Sequence, residues 1–204
     1  MILSTGGLPS ALAAKSATST IPIIFNVGVD PVEFGLVASL ARPGGNLTGV
    51  SGITVELTPK RLELLSELVP RARVIALLVN PNNTAAEVTI RDMQEAARAK
   101  GVQLPILRAA TESEIDAAFA SLVELQAGAL VVQADPFFIS RREQLVALAS
   151  RHAVPAIYAL REFTASGGLI SYGTSFTGAF RQVGIYAGKI GRNESTQKSL
   201  PSVK

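Results

Sequence analysis

Three times in this chain an apolar run leads into an acidic or amide residue followed by proline. Ile21 to Val29 runs into Asp30-Pro31, Val74 to Val79 into Asn80-Pro81, and Ala129 to Val132 precedes Asp135-Pro136. A side-chain oxygen at such a point can accept hydrogen bonds from the orphan amides of a following helix, or it can meet a ligand cation. Asp30 suits either role, with Pro31 and Val32 shaping a rim; Asn80 and Asp135 occupy equivalent positions. Thr5-Gly6-Gly7 offers backbone N–H groups and a hydroxyl to an anion at a helix start, and equally a plain helix-entry turn. Of Phe137 and Phe138, one suits the core and the other an aromatic wall for an apolar ligand. Arg161 can hold a carboxylate through two parallel hydrogen bonds, a surface ion pair with Glu162 being the competing reading. Tyr172, just before Gly173, brings a phenol to a strand end, within reach of a cleft or hinge.

These side chains are suited to binding and poorly suited to catalysis. Cysteine is absent and His152 is the single histidine, so neither a thiolate or histidine metal cluster nor a Ser-His-Asp arrangement can be assembled convincingly. His152 fits a helix end, and Glu112 and Glu114 fit helix capping. No glycine-rich phosphate loop follows a strand. The expectation is a non-enzyme with no cofactor and no metal. The net charge is only +3, and no basic run exceeds Arg141-Arg142, which argues against a nucleic-acid partner. No stretch approaches the roughly 20 apolar residues that a membrane span needs, so direct membrane insertion is not expected. The first residues, MILSTGGLPSALAAKSA, lack the basic and continuous apolar regions of an export signal, which makes the chain cytoplasmic if expressed as written.

The elements that must position these residues read as strand-helix alternation. With 204 residues, 48% of them hydrophobic, the chain has material for a buried core. Runs such as VIALLV and ALVV show no polar alternation, as befits parallel strands covered on both faces. Strands are predicted at Val74 to Val79, Leu104 to Leu107, Ala129 to Val132, Val154 to Tyr158 and Leu169 to Tyr172. Capping boxes are predicted at Thr84/Glu87, Thr111/Glu114 and Ser140/Glu143, with Gly101 and Gly128 as stops. Earlier in the chain the pattern predicts strands at Met1 to Leu3, Ile21 to Val29 and Leu47 to Ile53. Helices are predicted there at Ser10 to Ala17 and Val32 to Leu40. These first 55 or so residues are short for burying both faces of a parallel sheet. Residues from Gly191 on are polar and offer no strand, and domain anatomy reads as that of a fragment.

The stretches STGGLPSALAAK, STIPIIFNVGVDPVEFGLVASLARPGGNLTGVS, LTPKRLELLSELVP, LLVNPNN, ADPFFISRREQLVALASRHAVPAIYALREF and GGLISYG resemble the ABC-transporter substrate-binding proteins related to tryptophan and tyrosine uptake components. The resemblance runs in order from Ser4 to Ile190. It implies an α/β fold of the type I periplasmic-binding-protein kind, two doubly wound parallel-sheet lobes that close on a small ligand, with the first lobe incomplete here. In those terms residues 1–56 form a partial first lobe, 57–173 the second lobe, 174–190 a helix returning to the first, and 191–204 a polar tail. The export signal, the first strand-helix units and the final strands of the family pattern are missing from this expectation. The implied function is delivery of an amino-acid-like or other small organic solute, bound in an interlobe cleft, to ABC permease subunits from the periplasm. The ligand-sensing domain of a transcription regulator and a small isomerase-type α/β enzyme remain as alternatives.

Overall fold

The structure, a computed structural model, describes residues 1–52, 54–192 and 202–203. The chain divides into two compact units, one of Met1–Thr54 with Thr174–Lys204 and one of Val55–Gly173.

The Val55–Gly173 unit holds a five-stranded, all-parallel sheet. Its strands are β4 (Ile75–Val79), β5 (Ile106–Arg108), β6 (Ala129–Val132), β7 (Ala156–Tyr158) and β8 (Ile170–Ser171), in spatial order β5-β4-β6-β7-β8. Every residue of β4 and β6 is buried, as the unbroken apolar runs require. The helices are α2 (Thr58–Leu68), α3 (Ala86–Lys100), α4 (Glu112–Glu124), α5 (Pro136–Ser140), α6 (Arg142–Arg151) and α7 (Arg161–Ala165). Leu62 and Leu65 of α2 and Ile90 and Met93 of α3 pack with Leu77 and Val131 in one core cluster, each helix burying residues at three- and four-residue spacing.

The other unit carries β1 (Ile2–Ser4), β2 (Ile23–Val27), β3 (Leu47–Gly52) and β9 (Ser202–Val203), all parallel and ordered β1-β2-β3-β9. Its helices are α1 (Leu8–Ala17) and α8 (Phe176–Gly191), and Ala179, Val183 and Tyr186 of α8 pack on Ile24 and Val50. The architecture is the α/β, parallel-sheet one that the sequence suggested.

Several local expectations need correction. Residues 32–40 form turns and bends and no helix. Gly35 sits at φ 67, and the amides of Leu36 and Val37 both turn back to the Pro31 carbonyl, so the helical ladder never propagates. Of the three capping boxes only Thr111/Glu114 forms. α3 starts after Ala85 with no side-chain cap, because Asn83 Oδ1 already takes the Ala85 amide at 2.8 Å. At the third, the Ser140 hydroxyl donates to the Phe137 carbonyl at 2.7 Å, while α6 begins after Arg141 uncapped. The tail, expected to offer no strand, lays Ser202 and Val203 beside Ser51 and Gly52, where the free edge of β3 supplies backbone partners. Ile53, the expected end of β3, and most of the expected polar tail lie outside the described residues.

Candidate functional site

In the five-stranded sheet, β4 leads through α3 outward to β5, whereas β6 leads the other way to β7. Strand order therefore reverses between β4 and β6, and the carboxyl end of that pair is where an open parallel sheet has its binding crevice. Asn80 directly follows β4, and Asp135 is the N-cap of α5 just beyond β6.

The structure brings these two together. Asn80 Nδ2 donates to Asp135 Oδ1 at 3.0 Å, and Asn83 Nδ2 donates to Asp135 Oδ2 at 2.8 Å. The backbone amides of Phe137 and Phe138 also donate to Oδ1, at 2.9 and 3.3 Å. The network continues inward: the Asn80 amide donates to Gln133 Oε1 at 3.1 Å, and Gln133 Nε2 donates to Thr89 Oγ1 at 3.3 Å. Asn80, Asp135, Gln133 and Thr89 are all buried. A buried carboxylate is tolerated when donors surround it, and this one accepts four hydrogen bonds, two from amide side chains and two from a helix start. Asn80 and Asp135 are thus committed to each other, and they fix the two turns that flank the crevice. The sequence singled out neither Asn83 nor Gln133. The last asparagine of LLVNPNN and the polar residue closing the apolar run VVQ were the available signals.

The other predicted groups of this unit follow β6, β7 and β8 at their carboxyl ends. Phe138 is fully buried and Phe137 is half-buried at the start of α5, their rings 5.7 Å apart. Arg161 is exposed at the first position of α7. Tyr172, 39% exposed, follows β8; its amide donates to the Tyr158 carbonyl at 2.9 Å. Tyr158 itself is buried and stacks on Phe163 at 4.5 Å, and burial pushes its phenol pKa above the ordinary tyrosine range. Its Oη has no hydrogen-bond partner among the described residues.

Arg61 of α2, another residue that the sequence did not single out, is completely buried. Its Nε donates to the Tyr172 carbonyl at 2.7 Å and its Nη1 to Thr58 Oγ1 at 3.0 Å. Desolvation lowers its pKa to about 10, against an opposing influence of Tyr172, so the guanidinium stays charged at neutral pH. The signal was positional: Thr58, Arg61, Leu62 and Leu65 share the buried face of the helix.

In the four-stranded sheet, Thr5 and Gly6 are exposed after β1, and Gly7, at φ 79, precedes α1, which has no side-chain cap. The Ser4 and Ser10 hydroxyls lie 2.7 Å apart beneath this turn, and the Ser10 hydroxyl also donates to the Gly7 carbonyl. After β2, Asp30 Oδ1 accepts the Val32 amide at 2.7 Å and the Glu33 amide at 3.4 Å, holding the turn in which Pro31 is buried and Val32 exposed. β1 and β2 are neighbours, so these two turns lie at adjacent carboxyl ends of one sheet. His152 is the C-cap residue of α6, its ring 5.9 Å from that of Phe119. Among the described residues no group of three or more His, Cys, Asp or Glu side chains could hold a metal ion. No described helix is long and apolar enough to cross a membrane.

The two parallel sheets with polar turns at their carboxyl strand ends share the fold of type I periplasmic-binding-protein-like domains. Residues 1–197 match the family of ABC transporter substrate binding proteins, and the chain belongs to that family. It is 30% identical to a tyrosine-binding protein of Clostridioides difficile (strain R20291) over 196 residues, which is 96% of this chain and 54% of that one. The chain thus spans about half the length of that relative. Among solved structures it is similar to a conserved domain protein from Vibrio cholerae (TM-score 0.81, 25% identity, 99% of this chain, 67% of that one). It also shares the fold of an ABC domain in complex with L-Trp from Streptococcus pneumonia (TM-score 0.76, 21% identity, 99% of this chain, 68% of that one). A ligand-free, open substrate-binding protein with adhesive properties, CD0873 from Clostridium difficile, is similar at a TM-score of 0.65 and 28% identity, over 99% of this chain and 68% of that one.

Proposed function

We propose that this chain contributes the ligand-holding strand ends of an extracytoplasmic substrate-binding protein that delivers an aromatic amino acid to the permease of an ABC importer. The observation that carries the reading is a pair of aromatic side chains at carboxyl strand ends of one sheet: Phe137, beyond β6 at the switch point, and Tyr172, beyond the edge strand β8, both keep exposed surface. An aromatic ligand is favoured by such side chains, since paired rings contribute about 0.5–1.5 kcal/mol beyond the area they bury. The 30% identity with a tyrosine-binding protein points to the same ligand chemistry. Arg161 supplies a fork for the ligand carboxylate, and Asp30 a partner for its ammonium. In the other unit, the turns at Thr5, Gly6 and Gly7 and at Pro31 and Val32 are proposed as ligand-holding strand ends of their own sheet. Binding is non-covalent and without a cofactor.

Titration calorimetry of the chain with L-tyrosine, L-tryptophan, L-leucine and L-glutamate tests this. Tyrosine or tryptophan is expected to bind, with Phe137→Ala weakening affinity by roughly tenfold. Equal affinity for leucine, or no effect of Phe137→Ala, would overturn the aromatic reading.

A further inference from the structure

Among the described residues one charged side chain buried at the edge of the unit is not explained by ligand contact. The chain enters the Val55–Gly173 unit three residues before α2 begins at Thr58 and leaves it one residue after Tyr172. Arg61 joins these two places through its bonds to Tyr172 O, 111 residues further along the chain, and to Thr58 Oγ1. Its Nη2 also lies 3.3 Å from where a Cβ on Gly173 would sit, so the guanidinium plane lies against the backbone of the exit itself. A core-filling role at this point of α2 needs only an apolar side chain, and burying a guanidinium is costly unless its donors are used. Arginine is the side chain that can reach two acceptors in different directions with a rigid planar fork.

We propose that Arg61 is a positioning residue: it clamps the exit of β8 onto the first turn of α2 and holds Tyr172 fixed at the sheet edge. Tyr172 keeps its side chain exposed while its backbone is held at both polar groups, the amide by Tyr158 and the carbonyl by Arg61. That combination presents a phenol in one place at little entropic cost on binding. The consequence for affinity rests on the ligand reading above; the clamp itself does not.

The test is hydrogen exchange on the whole chain, comparing backbone amides of residues 170–176 with those of β4, alongside tyrosine titration. Losing a hydrogen bond from a charged donor corresponds to a roughly ten- to hundredfold rise in the local opening equilibrium. Arg61→Met, which keeps the apolar bulk, is expected to speed exchange at 170–176 by that factor and leave β4 unchanged. Arg61→Lys, whose donors all sit on one nitrogen with no fork, is expected to fall between. Equal acceleration in both regions would mean that Arg61 only fills the core, and no change in either would mean that it holds nothing; each overturns the clamp. Should Arg61→Met fail to fold, Thr58→Val removes the hydroxyl that accepts from Nη1, and faster exchange at 170–176 is expected there too, unchanged exchange again overturning the proposal. In the titration, Arg61→Met is expected to weaken tyrosine binding severalfold. If no variant or parent binds tyrosine while 170–176 still loosens, the ligand reading fails and the clamp stands.

Discussion

Asp135 separates a structural hub from a ligand group, because the two roles predict opposite outcomes for one substitution. In Asp135→Ala, α5 loses its N-cap acceptor for the Phe137 and Phe138 amides. Cap loss of this kind costs about 0.5–2 kcal/mol. The Asn80 Nδ2 donor, in a side chain only 8% exposed, loses its carboxylate partner. Leaving a buried donor unsatisfied costs about 1–3 kcal/mol. Asn83 is half-buried and recovers most of its loss by hydration, so its share is small. The expected destabilisation is roughly 3–4 kcal/mol. Asp135→Asn keeps the shape and one acceptor oxygen but sets its own NH2 against that of Asn80 or Asn83, for a loss of about 2 kcal/mol. Urea unfolding followed by far-UV circular dichroism, with β4 exchange as a local readout of this unit, gives the values. An Asp135→Ala variant within about 0.5 kcal/mol of the parent, yet unable to bind tyrosine, would refute the hub and make Asp135 a ligand contact. A double-mutant cycle with Asn80→Ala should show coupling above about 0.5 kcal/mol.

Three further outcomes follow from the geometry. Tyr158→Phe removes a buried hydroxyl without a partner among the described residues, so stability should hold or rise by up to about 1 kcal/mol in the same unfolding assay; a loss above that figure would show that the hydroxyl is engaged. Gly173→Ala places a Cβ 2.1 Å from the Ala159 carbonyl oxygen, and since backbone must move to relieve it, thermal unfolding should show a loss of about 2 kcal/mol or more. The amide of Ala110, then the hydroxyl and amide of Thr111, hold the Glu114 carboxyl below its usual range. A depressed carboxyl contributes stability above its unfolded pKa and loses it as pH falls through the folded value, so the gap between the parent and Glu114→Gln should narrow below about pH 4 in unfolding monitored against pH.

The sheet of the Val55–Gly173 unit was legible because solvent exclusion from both faces leaves a uniform apolar signature, and VIALLV and ALVV carry it. The Thr111/Glu114 box was legible too, since its partners are three residues apart and need nothing from the rest of the chain. What failed depended on distant groups or on one torsion. Thr84 looked like a cap until Asn83, tied to Asp135 across 52 residues, set the start of α3 instead. Residues 32–40 had helical spacing, but the torsion of Gly35 and doubled bonds to Pro31 override it. The strand-end residues were legible as positions because proline and Asx chemistry mark them. Their pairing was not, because hydrogen bonds between turns of separate strands leave no periodic trace. Arg61 was hidden for a related reason: a single charge on an apolar helical face reads as exposed until its acceptors, one of them 111 residues away, are known.

The mutual saturation of Asn80, Asn83 and Asp135 bears on how this site changes over evolutionary time. Because the polar groups at the switch point satisfy one another, the folded state does not wait for a ligand to neutralise them. The side chains of Phe137, Arg161 and Tyr172 take no part in that network, although the Phe137 amide does. If the proposed ligand reading holds, substitutions of those three side chains alter which solute is preferred while the Asn80–Asp135 turns keep their shape, which makes stability and selectivity separable traits. A lineage could retune the cargo one such residue at a time without passing through an unfolded intermediate.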